Sequence, residues 1–149
     1  MMTSFSQRDA RWANVKIGSS NLTIGRFGCT ISCIADLTSY FLPILDPAAV
    51  AKKIAFNSNA EVLWQSCNFP AFIFDRRQLN FDYADILAAY RDPNRAVILN
   101  VANASHWVVV SGINHRAGYF NIADPWLGDF SDMSRYKNSI QGAAYFRKK

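Results

Sequence analysis

The chain holds three cysteines and two histidines, so thiol chemistry that needs an imidazole draws on a short list of partners. Cys29 stands where a glycine-containing loop ending in Gly28 gives way to an apolar run, residues 30–42, that has one Asp, no Gly and no Pro and stops before Pro43. Such a run reads as a buried helix. At its start the unpaired N–H groups and the helix dipole favour a thiolate, the nucleophilic form of the side chain. A cysteine there also serves well as a small core residue, so its partners decide between the two roles. His106 opens HWVVVSGI at a strand start, whereas His115 falls in the turn-like NHRAG, where a histidine is ordinarily just solvated. A hairpin closed through that turn puts His106 opposite residue 125, within one position of Asp124. Cross-strand neighbours have Cβ atoms about 5 Å apart, so the carboxylate can accept the imidazole N–H and fix its tautomer. Cys29, His106 and Asp124 thus offer a nucleophile, a base and its orienter, the set that acyl transfer requires.

Elements must position these groups. Before Cys29, the first 28 residues have little apolar periodicity and read as a surface arm or loop. After residue 42, Asp46–Pro47 reads as a cap and first-turn pair opening a second helix that ends near Asn57. Ser58 with Glu61 resembles a capping box, which predicts a short third helix over residues 60–66. Residues 69–74 read as extended, and Asp82 caps a helix over residues 83–90. From Ala96 onward the runs AVILNVA, HWVVVSGI and GYFNIAD, with a last one near residues 143–146, predict an antiparallel sheet. Helices in the first half and strands in the second define an α+β class within one domain, residues 1–149. Asp36 lies seven residues after Cys29 on the same helical face and is expected to pair with an Arg for structural reasons. Cys33, one turn below Cys29, suggests a metal site with His106 only weakly, because zinc prefers tighter cysteine pairs and four ligands. Cys67 reads as inert packing. No metal and no cofactor are expected.

The segments SQRDARW, TIGRFGCTIS, HWVVVSG and NIADPW, in that order, resemble papain-like cysteine peptidases of the bacteriocin-processing type, which cut double-glycine leader peptides. The likeness runs from about Gln7 to Trp126. It implies a papain-like fold, peptide-bond or isopeptide-bond hydrolysis through a thioester on Cys29, and the roles already argued for His106 and Asp124. It also implies that Gln7 donates its side-chain amide to an oxyanion hole beside the Cys29 N–H. Arg26, Phe27, Asn103, Ser105, Trp107 and Trp126 flank these landmarks and are candidates to line a substrate cleft.

Composition bounds the alternatives. Half the residues are hydrophobic and 18% charged, which excludes a disordered chain. The net charge of +5 is scattered in runs of two or three, so no nucleic-acid partner is expected, although anionic polymers gain mild attraction. Residues 1–12 contain no signal-peptide run and no stretch reaches the length of a membrane span, which predicts a cytoplasmic or virion-associated chain unless another route exports it. A cell-wall peptide hydrolase of the phage or bacterial lysin type is the second reading. A catalytically silent member that binds peptides, or a structural part of a larger bacterial or phage assembly, is the third.

Overall fold

The computed structural model describes residues 2–149. Four α-helices are α1 (Ile24–Phe27), α2 (Cys29–Phe41), α3 (Pro47–Lys53) and α4 (Tyr83–Arg91), with 3-10 turns at Trp64–Ser66 and Met133–Tyr136. Six strands are β1 (Phe72–Gln78), β2 (Arg95–Val101), β3 (His106–Asn114), β4 (Tyr119–Asp124), β5 (Asp129–Asp132) and β6 (Ile140–Lys148). They form one antiparallel sheet in the order β1-β6-β2-β3-β4-β5, giving a mixed α+β fold.

The sheet is buried on both faces because its central strands carry apolar residues at alternate and intervening positions alike. Ile98, Val109, Ala123, Ala144 and Phe146 face α2, where Ile31, Ile34 and Leu37 complete a core sealed from water. Val97, Leu99, Val108, Val110, Phe120, Ile122 and Tyr145 form the opposite core with Ile86 and Ala89 of α4 and Met133 of the second 3-10 turn. Each fully buried Leu, Ile or Phe contributes roughly 1.5–3 kcal/mol, so α2 is held by its apolar face rather than by its ends. Ten of the thirteen residues of α2 are buried, which fixes the helix against the sheet and therefore fixes where Cys29 emerges.

Several expectations need correction. Residues 2–28 are not a surface arm: Gln7, Trp12, Ile17 and Ile24 are buried, and residues 3–7 hydrogen-bond to α2 and to Pro125 just past the end of β4. Helix α3 ends at Lys53 because Ile54 turns inward with extended backbone. Residues 60–66 do not form a helix. The Asn57 side chain, not Ser58, takes the backbone N–H groups of Asn59 (2.9 Å) and Glu61 (3.0 Å), and Phe56 bridges Val62 in a tight hairpin. Only Trp64–Ser66 winds into a 3-10 turn. Strand β5 is absent from the sequence reading because Asp129-Phe-Ser-Asp132 has little strand propensity and pairs on one edge alone.

Candidate active site

Gly28 sets the position of Cys29. Its N–H donates to Ile24 O (2.8 Å) and its carbonyl accepts from Ser32 N–H (3.0 Å), so one residue closes α1 and opens α2. A Cβ there would lie 2.6 Å from Ile24 O, which only a glycine avoids. Cys29 becomes the first residue of a 13-residue helix whose leading N–H groups have no side-chain cap. It is 9% exposed and lines a cleft on either side of it, whereas Cys33 and Cys67 are sealed at 0%. Burial pushes the Cys67 thiol up to about 12 and raises that of Cys33 as well, so neither competes as a nucleophile at neutral pH.

His106 is the first residue of β3, and its Nε2 lies 2.8 Å from Asp124 Oδ1 at the end of β4. The route to this contact differs from the hairpin arithmetic. The ladder pairs Val109 with Ala123 and shifts between Val110 and Gly112, so its register places Asp124 across from Val108. His106 is two residues further along on the same face and reaches Asp124 diagonally. Nε2 is thereby committed to the carboxylate, and Nδ1 is the ring nitrogen left for the Cys29 sulfur. Asn100 Nδ2 donates to the His106 carbonyl (3.0 Å) and steadies the strand end.

Asp124 is wholly buried and every contact it makes favours the carboxylate. Oδ1 also accepts the Trp126 N–H (3.0 Å), while Oδ2 accepts Arg135 Nη1 (3.0 Å) and the Tyr136 hydroxyl. Burial alone would raise its pKa. The hydrogen bonds from His106, Tyr136 and Trp126 outweigh burial and hold the acid below the usual carboxylate range. For His106, burial likewise opposes the charged form, yet the hydrogen bonds to Asp124 and Cys29 raise its pKa to about 9. The imidazolium is therefore the favoured form at neutral pH. Arg135 is itself clamped by Asp129 at 2.8 and 2.9 Å, so β5 and the turn after it complete the support of the acid.

Gln7 reaches the same cleft. Its N–H donates to Pro125 O (2.7 Å), its Nε2 donates to Gly25 O (3.3 Å), and it lines the cleft of about 370 Å³ shared by Cys29, His106, Trp126 and Tyr136. One amide N–H satisfies Gly25, which leaves the second for a group bound there. The arm is pinned from behind by Asp36, which accepts the Phe5 N–H (2.7 Å), and by Ser39 Oγ, which accepts the Thr3 N–H (2.7 Å). Among the described residues Asp36 therefore has no Arg partner, contrary to expectation. Its Oδ2 is buried without a hydrogen bond, and burial raises its pKa well above the ordinary value.

Arg26, Phe27, Ser105 and Trp126 line the cleft with Cys29 and His106, and Arg8 stacks on Trp126 at 4.5 Å. Trp107 is on the other side of Cys29, against Trp64 with ring centroids 5.2 Å apart. Asn103 is not brought to either cleft: it sits exposed with φ 55° at the tip of the β2–β3 turn, and buried Asn100 lines the wall instead. Asn100, Arg135 and Tyr136 escaped the sequence reading. Asp132, which caps the turn through Ser134 N–H (2.9 Å), signals a turn but not that the turn reaches back to a strand end. Among the described residues no group of three or more His, Cys, Asp and Glu is arranged to hold a metal ion, and no helix is long and apolar enough to cross a membrane.

The chain is thus a mixed α+β protein with a cysteine, a histidine and a buried aspartate gathered where a helix start meets the end of an antiparallel sheet. No protein-family model matches its sequence, and no curated protein matches it significantly.

Proposed function

We propose that the chain is a papain-like cysteine hydrolase of the bacteriocin-processing peptidase type, acting on peptide or isopeptide bonds. The observation that carries this reading is the His106 ring, held through Nε2 by buried Asp124 at 2.8 Å and sharing its cleft with Cys29 at a helix start. The Cys29 thiolate attacks the substrate carbonyl, a C–S bond forms, and the carbonyl π electrons move to oxygen. The Cys29 N–H and the second N–H of the Gln7 amide stabilise that oxyanion, a contribution of about 3 kcal/mol per donor. The His106 imidazolium passes its proton to the leaving nitrogen as the C–N bond breaks, and a thioester remains on Cys29. Neutral His106 then takes a proton from water as that water attacks the thioester, and the thiolate leaves. Asp124 stays ionised throughout and stabilises the imidazolium.

A panel of Gly-Gly peptides, isopeptides and purified peptidoglycan, with products read by mass spectrometry, tests the activity. Wild-type protein cleaves a defined bond in at least one of these, and Cys29→Ser abolishes turnover. Asp124→Ala lowers kcat by roughly 10²–10⁴ because the ring loses its tautomer and orientation. Retained turnover in Cys29→Ser ends the mechanism, and cleavage of peptidoglycan alone selects the cell-wall version of the activity. No cleavage anywhere, together with equal reactivity of all three thiols, points instead to a binding or structural role.

A further inference from the structure

The second cleft beside Cys29 encloses about 400 Å³, and Trp64, Trp107, Asn100, Glu61 and Arg77 lie in its walls. Arg77 is anchored to an unusual degree. Its Nη1 donates both to Gln78 O and to Ala143 O (3.0 Å), and its guanidinium lies 4.7 Å from the Trp107 ring centre. Gly142 makes room for this anchoring, since a Cβ there would come within 3.0 Å of Nη1 and 2.5 Å of Gln78 O. With Nη1 occupied, Nε and Nη2 form the free side of the fork. Neither has a hydrogen-bond partner among the described residues, and neither is among the side-chain nitrogens sealed from solvent without one. Among the described residues no carboxylate lies within salt-bridge distance of Arg77. Glu61 is exposed and its Oε1 accepts from Asn57 Nδ2 (3.2 Å), so it is a solvated rim charge. Burial also disfavours the Arg77 charge, so the group gains from an anionic partner.

We propose that Arg77 is a specificity determinant that takes a carboxylate of the substrate, close to the bond attacked by Cys29, through its Nε–Nη2 edge. The inference rests on the cysteine-hydrolase reading above. A planar fork binds a carboxylate by two parallel hydrogen bonds, and a guanidinium already fixed by two carbonyls and a ring loses little freedom when it does so. The two indoles supply flat apolar walls for the methylene groups that carry the carboxylate. That carboxylate comes either from an acidic side chain or from a chain-terminal carboxyl group.

The test uses peptidyl chloromethyl ketones with Gly at the reactive group, preceded by Glu, Gln or Glu methyl ester. A second pair presents a terminal carboxylate as an N-succinyl cap against an N-acetyl cap. Rates of Cys29 alkylation are read by intact mass and peptide mapping in wild-type protein, Arg77→Gln, Arg77→Lys and His106→Ala. In wild-type protein one carboxylate probe reacts at least about tenfold faster than its neutral match, as expected of charge-assisted hydrogen bonds. Which pair shows the gap tells a side-chain from a terminal source. The ratio falls to about one in Arg77→Gln and is only partly kept in Arg77→Lys, which has charge but no fork. Equal rates for both matched pairs in wild-type protein overturn the proposal without any variant having to fold, as does a ratio that survives in Arg77→Gln. Equal rates that still drop in His106→Ala remove the carboxylate specificity and leave the hydrolase reading standing. Rates that ignore His106→Ala remove the activated thiol, and the inference falls with it.

Discussion

In the proposed reaction a histidine whose pKa stands at about 9 serves as the acid for the leaving group, and that sets the expected pH behaviour of the site. The proton it must deliver is present below that value and lost above it, so kcat/KM falls as pH rises through about 9. In Asp124→Asn the carboxylate that raises the ring's pKa is gone, so this alkaline limb moves to lower pH, towards the ordinary value of 6.5. A pH–rate profile whose limb stays in place in Asp124→Asn contradicts the assigned pairing. Tyr136→Phe removes one donor to Asp124 Oδ2 while Arg135 and Trp126 keep theirs. Steady-state kinetics should show a loss of about tenfold, smaller than for Asp124→Ala, because one hydrogen bond to a charged group is lost and the acid is not. Cys29, His106 and Asp124 were legible because few cysteines and histidines exist and because strand alternation keeps His106 and Asp124 on one face. Arg135 and Tyr136 were not, since their distance from Asp124 in space depends on how β5 turns back, which no residue pattern announces. Gln7 was legible only through resemblance, because nothing local distinguishes it from a solvated glutamine.

Helix α2 carries the proposed nucleophile at its start and structural groups in its second half. Cys29 opens it, and about two to three turns further on Asp36 and Ser39 hold the N-terminal arm that carries Gln7. The folded-state pKa of Asp36 is raised, so the native protein keeps a proton there that the unfolded chain releases above about 3.8. This proton linkage lowers stability as pH rises above that value, until the native carboxyl ionises as well. Asp36→Asn keeps an oxygen for the Phe5 N–H and removes the titration. Chemical denaturation should therefore show it at least as stable as wild-type at neutral pH, with a flatter pH dependence. Asp36→Ala leaves the Phe5 N–H without its acceptor and costs about 1–3 kcal/mol. Equal stability of Asp36→Ala and Asp36→Asn would mean that the contact does not hold the arm. This helix was readable from its apolar run and its stop before Pro43, as were β2, β3 and β4 from their β-branched content. The helix expected over residues 60–66 failed because two capping signals compete there, and the Asn57 side chain wins the backbone N–H groups. The burial of the arm is not legible in sequence because its buried residues, Gln7, Trp12, Ile17 and Ile24, are spaced by turns rather than by a helix or strand period.

The whole molecule joins two cores across one sheet, and the charged cluster at the sheet's end couples stability to pH as well as serving the proposed reaction. His106 has a raised folded pKa, so its ion pair contributes fully below the unfolded value of about 6.5 and is lost as pH rises through about 9. Asp124 has a lowered one, so its contribution is present above about 3.8 and lost as pH falls through its folded value. The pH-dependent part of the stability difference between wild-type protein and His106→Ala should therefore be largest between those limits and vanish in alkali. Denaturation curves across pH check this, and a difference that grows above pH 9 contradicts it. The most direct test of the central claim is the rate at which iodoacetamide alkylates each cysteine at neutral pH, mapped by peptide mass spectrometry in wild-type protein and His106→Ala. The account predicts that Cys29 in the native protein reacts on the order of 100-fold faster than Cys33 or Cys67, and that His106→Ala removes most of that advantage. Three thiols of similar reactivity, or a Cys29 rate indifferent to the loss of His106, would contradict it.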